Sequence, residues 1–170
     1  MSWYALYTRP RHEKAVNDLL ENKGIRSFLP LIKQLRQWKD RRKWVETPLF
    51  NSYVFINIDL KDRLYALQTQ GVIRLISFGG IPAAIPDWQI EQLKQLIAHP
   101  ETLRPEEYLR AGDWVEVVQG PFRGIKGMLR EIRGETRIAI LIDGIMQSVS
   151  FEVDRGLVKK ISAPETEPTE

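Results

Sequence analysis

Cysteine is absent from this 170-residue chain, so neither a disulfide framework nor a thiolate nucleophile or ligand is available. Histidine is nearly absent too. His12 and His99 stand far apart, and no Ser-His-Asp grouping, acid pair or metal-ligand spacing accompanies them, which argues against an enzyme and against a metal or cofactor. No apolar run approaches the roughly 20 residues that would span a bilayer. The start, Met1-Ser2-Trp3-Tyr4, passes straight into a strand pattern without a charged-then-apolar leader, so a cytoplasmic protein with no membrane partner is expected. Gly79-Gly80 lacks the Gly-Lys-Ser/Thr that would make it a phosphate cradle.

What is present is an uneven charge. The net of +3 conceals a first part, through Ala98, in which fifteen lysines and arginines oppose nine acidic residues, and a remainder in which ten oppose thirteen. Within the first part, Arg26, Lys33, Arg36, Lys39, Arg41, Arg42 and Lys43 are interrupted only by Asp40. Such a cluster is a solvated loop or a polyanion contact.

The aromatic residues are also patterned. In Pro48–Ile58 (P-L-F-N-S-Y-V-F-I-N-I), strand alternation puts Phe50, Val54, Ile56 and Ile58 on one face and Leu49, Tyr53 and Phe55 on the other, between Asn51 and Asn57. Trp3, Ala5 and Tyr7 alternate likewise with Tyr4, Leu6 and Thr8. If the two strands are neighbours, Trp3, Tyr7, Tyr53 and Phe55 form one aromatic patch; periodicity leaves open whether it is a docking surface or lies under helices.

Taken in order, Trp3–Arg9 reads as a strand, and Arg11–Lys23 as a helix with His12, Ala15, Val16, Leu19 and Leu20 on its apolar side. Ile25–Pro30 reads as a short strand. Leu31–Trp38 and Trp44–Ile58 read as the arms of a hairpin with a basic tip. A second helix opens at Asp59 or Lys61 with a Leu60, Leu64, Leu67 stripe. Val72–Phe78 turns through Gly79-Gly80 into Ile81–Ile85, and a third helix follows Asp87. This order predicts a mixed or antiparallel sheet with helices packed on it. Residues 99–109, with two prolines, read as a linker. Short strands at Trp114–Val118, Lys126–Ile132, Arg137–Ile142, Gln147–Val153 and Leu157–Ile161, punctuated by glycines, predict a small barrel over 110–161. The polar residues 162–170 read as a disordered tail.

Gly112–Leu129, G-D-W-V-E-V-V-Q-G-P-F-R-G-I-K-G-M-L, closely resembles the KOW motif. Trp3–Val16, Pro48–Ile56 and Gly71–Pro86 (G-V-I-R-L-I-S-F-G-G-I-P-A-A-I-P) resemble the domain that precedes that motif in the NusG family of transcription elongation factors. The ordered combination covers Trp3 to Ile161. Phe50-Asn51-Ser52-Tyr53 in place of a Pro-Gly-Tyr segment, and R-Q-W-K-D-R-R-K-W at Arg36–Trp44, resemble a specialised paralogue, of the RfaH and capsular-polysaccharide-operon antiterminator type. Leu64-Tyr65-Ala66-Leu67 departs from the His-Thr-Thr contact of RfaH.

The resemblance implies an α+β domain over 1–98, followed by an SH3-like KOW barrel, in a monomeric factor without enzymatic activity or cofactor. Trp3, Tyr7, Phe50, Tyr53 and Phe55 would dock on the clamp helices of RNA polymerase. Arg9, Arg11, Lys14, Arg41, Arg42, Lys43 and Arg74 would face upstream duplex or non-template DNA. His12 would either meet a base or simply pack, the packed state being the commoner for a histidine on a helix's apolar side. The motif residues Gly112, Asp113, Val115, Val117, Gly120, Phe122, Gly124 and Gly127 would build the barrel, with Gly120, Gly124 and Gly127 in a tight loop. Phe122 would contact a ribosomal protein or termination factor, or cap the barrel. The valines and isoleucines favour permanent strands over a helical hairpin. The function implied is suppression of pausing and termination at particular operons; the alternative is a KOW-type RNA-binding or ribosome-associated protein.

Overall fold

The computed structural model describes residues 1–164; positions 165–170 of the expected tail lie outside the described residues. The chain divides into two compact units, Met1–Asp87 and a second from Trp88 onward.

In the first unit, β1 (Ser2–Thr8), β2 (Arg26–Phe28), β5 (Tyr53–Ile58) and β6 (Val72–Leu75) form a sheet in the order β2-β5-β1-β6, antiparallel at each pairing. Tyr4 and Leu6 of β1 and Val54, Ile56 and Ile58 of β5 make its aliphatic face. They pack with Val16 and Leu20 of α1 (Glu13–Asn22) and Ala66 of α2 (Arg63–Leu67). The buried stripe of α1 is Glu13, Val16 and Leu20, a spacing of three and four that keeps one helix face inward. His12, Ala15 and Leu19 are exposed, so the expected stripe was drawn too wide. His12 precedes the helix and is not packed, contrary to the weightier expectation.

The hairpin of β3 (Leu31–Gln37) and β4 (Arg42–Pro48) is a separate two-stranded sheet. Its second arm does not run on to Ile58 as expected. Residues 49–52 turn the chain, with Ser52 in the left-handed region at φ 67°. Leu49 N–H donates to Pro30 O (2.8 Å) and Thr8 N–H to Ser52 O (2.9 Å), fixing the turn at both ends. The break defeats the alternation rule: Phe50 lies edge-on to Phe55 at 6.4 Å rather than on the aliphatic face. The strand from Val72 also breaks, since Ile76 is buried with its N–H on Ala5 O (2.9 Å). Beyond it β7 (Ser77–Phe78) and β8 (Ile81–Pro82) form a small hairpin around Gly79-Gly80, both at positive φ.

In the second unit α3 (Asp87–Ile97) is held by paired amide bonds: Gln92 Nε2 donates to Lys126 O (3.2 Å) and Lys126 N–H to Gln92 Oε1 (2.6 Å). Expected with the first domain, the helix is compact with the second. The sheet runs β14 (Val158–Lys160), β10 (Asp113–Val117), β11 (Lys126–Ile132), β12 (Glu135–Ile142), β13 (Gln147–Glu152), β9 (Arg104–Glu106). All-β beyond α3, it matches the expected strands and adds β9, which lies inside the expected linker. The cause is a buried cation. Arg137 donates from Nε to Ser150 Oγ (2.8 Å) and from Nη2 to Thr102 O, while Ser150 Oγ donates to Glu106 Oε1 (2.8 Å). Pairing with β13 and this network hold residues 102–106 against the sheet.

Val115 and Val117 are core, and Gly120 and Gly124 turn the loop at positive φ. Gly127, expected in that loop, is a strand residue of β11. A Cβ there would lie 2.5 Å from Ile138 Cγ2 and 2.7 Å from Ala139 O, so close strand approach explains the glycine. Gly112 precedes Asp113 at the start of β10, and a Cβ on it would collide with Leu129 O. Phe122 is half-buried against Phe151 (4.5 Å) and edge-on to His99 (5.8 Å), so it caps this core.

Candidate functional site

The sheet face opposite α1 carries Trp3, Ala5 and Tyr7 from β1, with Tyr53 and Phe55 from β5. Much of it is sealed. Trp3, Phe50 and Phe55 are buried at 3%, 4% and 0% exposure, which corrects the expectation of a broad exposed aromatic patch. Phe55 is stacked with Phe28 at 6.2 Å and meets Phe50 edge-on. Trp3 lies under the Arg26 guanidinium at 5.2 Å. Both are pieces of core.

Tyr7 and Tyr53 remain half-exposed. They are direct cross-strand partners, their rings 5.6 Å apart in an edge-to-face arrangement. On the other side of Tyr7, its register partner Arg74 places a guanidinium 5.4 Å from the ring. Three adjacent strands thus present a row of Tyr53, Tyr7 and Arg74. Burial, reinforced by Tyr7 and opposed by Arg74, pushes the Tyr53 phenol above its ordinary value, so it remains a neutral donor in neutral solution.

Beside this row is an open cleft of about 510 Å³, lined by Arg11, Lys14, Arg36, Glu13, Glu46 and Asn51 among others. Glu13 was not anticipated as part of it. Its Oε1 accepts the Ser52 N–H at 2.8 Å, so a buried carboxylate of α1 holds the turn that precedes Tyr53. The available signal was a charged residue in register with Val16 and Leu20. Lys14 Nζ donates to Glu46 O at 2.7 Å, tying α1 to the hairpin base. Arg9 and Arg11 are exposed, Arg11 with φ 65°. His12 Nδ1 lies 2.9 Å from Pro10 O; a carbonyl only accepts, so Nδ1 carries the proton.

Arg41, Arg42 and Lys43 are exposed at the hairpin end, together with Trp38 and Trp44 at 54% and 67% exposure. The cations were anticipated as contacts; the tryptophans were not. The structure therefore brings Arg74 beside the tyrosine pair and Arg11 and Lys14 to the cleft at the turn before Tyr53, and sets Arg41, Arg42 and Lys43 apart on the hairpin. Among the described residues, no group of three His, Cys, Asp or Glu side chains could hold a metal ion, and no helix is long and apolar enough to cross a membrane.

The model of the family described as transcription termination factor NusG matches residues 1–94. The chain is similar to the transcription termination/antitermination protein NusG of Deinococcus radiodurans, 24% identical over 94% of this chain and 99% of that one. The protein of the same description from Helicobacter pylori is 24% identical over 95% and 99%. A solved structure of Thermotoga maritima NusG superposes with a TM-score of 0.52, at 22% identity over 95% of this chain and 97% of that chain, which supports the fold. Matched through its first unit by the family model and along nearly its whole length by these relatives, the chain belongs to the NusG family of transcription termination/antitermination factors, which are not enzymes.

Proposed function

We propose that the first unit docks on the clamp helices of RNA polymerase through the Tyr7–Tyr53 pair, and that the protein suppresses pausing and termination at particular operons as a specialised paralogue. The observation that carries this reading is the tyrosine pair itself, left half-exposed beside Arg74 on a face where Trp3 and Phe55 are buried. Amphipathic rings with a polar tip suit the desolvated centre of an interface. Phe55, Phe50 and Trp3, being buried, would not themselves touch the partner. Arg74 beside the pair, the exposed Arg9, Arg11 and Lys14, and the hairpin's Arg41, Arg42 and Lys43 would meet upstream duplex or the non-template strand through phosphates, with little sequence discrimination. A protein seated across clamp and nucleic acid stabilises the elongating state only by binding it more tightly than the paused one. The second unit would meet a ribosomal protein or termination factor by a surface other than the packed ring of Phe122.

Pull-down of core polymerase tests this. Tyr7→Ala and Tyr53→Ala should abolish or sharply reduce capture, while Arg41→Ala/Arg42→Ala should spare capture and weaken binding to DNA. Equal capture by all variants would reject the tyrosine site.

A further inference from the structure

The hairpin has two dissimilar faces. In the β3–β4 register Lys33 opposes Glu46, Leu35 opposes Trp44 and Gln37 opposes Arg42, so these six share one face. On it the indole of Trp44 is 67% exposed and Leu35 opposite is 45% exposed, whereas the strand aromatics Trp3 and Phe55 are buried. A groove of about 510 Å³ runs beside the indole, lined by Lys33, Trp44, Val45 and Glu46. The opposite face holds Arg36 and Lys43, and there Trp38 is already engaged, with Lys43 Nζ 5.7 Å from its ring.

We propose that Trp44 is a stacking platform for an unpaired nucleobase, with Lys33 and Arg42 holding the phosphates of a single strand on either side. The inference rests on reading the basic hairpin as a nucleic-acid contact and names the form that it takes. Along β4, Arg42 lies two positions from Trp44, and Lys33 lies two positions from Leu35 on the facing strand, so cations stand roughly 7 Å to either side of the ring. Every base has a π-face, and a cationic track interrupted by an exposed aromatic is the arrangement that grips single strands without reading sequence. A closed duplex offers phosphates to Lys33 and Arg42 but hides its bases from Trp44. A protein partner suits the face less well. On the face Lys33, whose Nζ is 3.9 Å from Glu46 Oε1, and Arg42 outnumber that one acid. Over the whole hairpin from Leu31 to Pro48 six lysines and arginines oppose two acidic residues, which favours a polyanion.

Two measurements on the full chain test this. In a Trp38→Phe background Trp44 is the strongly exposed tryptophan, since Trp3 is buried and Trp88 and Trp114 are half-buried. An oligothymidine of about twelve nucleotides should shield it from acrylamide quenching, and a blunt duplex of equal length should not. Trp44→Leu should weaken oligothymidine binding roughly five- to a hundredfold, leave duplex binding and its salt slope unchanged, and be rescued by Trp44→Phe. Unchanged accessibility of Trp44 together with wild-type oligothymidine affinity of Trp44→Leu would overturn the platform. If Arg41→Ala/Arg42→Ala still weakened binding in that case, the basic-hairpin reading would stand; if it too bound as wild type, both would fall. Shielding by duplex and oligothymidine alike would also overturn the inference.

Discussion

Tyr53 and Phe55 stand two residues apart on one strand, and truncating each should act through different physics. Phe55 is fully buried between Phe28 and Phe50, so Phe55→Ala removes core and should lower folding stability by about 3–5 kcal/mol, read by denaturant unfolding. Tyr53 is half-exposed. Tyr53→Ala should cost much less in folding and about 2 kcal/mol or more in polymerase affinity if it is a central anchor. A polymerase-binding loss with Phe55→Ala would therefore be uninformative unless the fold were shown intact. Gly127 gives a second contrast at this scale. Gly127→Ala should destabilise the second unit by about 1–3 kcal/mol through overpacking against Ile138 and the Ala139 carbonyl, as a shift in the thermal midpoint. Strand alternation made Tyr7 and Tyr53 legible as one face. It could not distinguish them from Phe55 and Trp3, because exposure depends on what covers a face, and that is set by residues remote in sequence.

Elements were read well where a single period ran without interruption: β1, α3 and the strands of the second unit. They were misread where side chains override the local pattern. Pro48 to Ile58 reads as one strand, yet Glu13 and Thr8 capture Ser52 from both sides and turn the chain there. Glu13→Gln keeps an acceptor and should preserve the turn. Glu13→Ala leaves the buried Ser52 N–H unpaired, at a cost of about 1–3 kcal/mol, and should displace Tyr53. Residues 99–109 read as a linker because two prolines break their period, whereas β9 owes its place to Arg137 and Glu106. Burial raises the Glu106 pKa, but the hydrogen bonds from Arg104 and Ser150 and the charges of Arg104 and Arg137 outweigh it, so the carboxyl is held below its ordinary range. A depressed folded pKa means that its contribution is complete above the ordinary carboxylate range and is lost as pH falls through the lowered value. Thermal unfolding in acid should accordingly show a steeper loss for wild type than for Glu106→Gln; equal slopes would remove Glu106 from the account.

For the whole molecule, the charge division read from the sequence has a consequence in salt. If the cations of the first unit meet phosphates, removing Arg41 and Arg42 should lower the slope of log affinity against log salt by roughly one per lost contact, for any DNA sequence alike. The expected end of the first domain at residue 98 and the division of the compact units after Asp87 differ in where α3 is counted: the family match runs to residue 94, while Gln92 makes two bonds to Lys126, a pairing invisible to periodicity. The central claim is that the Tyr7–Tyr53 pair faces polymerase. It is tested most directly by placing a photo-crosslinking amino acid at Tyr53 and mapping the adducts formed with core polymerase. Adducts confined to the clamp helices are the expected result. Adducts elsewhere on the enzyme, or none above those from the same probe at the exposed Met146, would contradict the account.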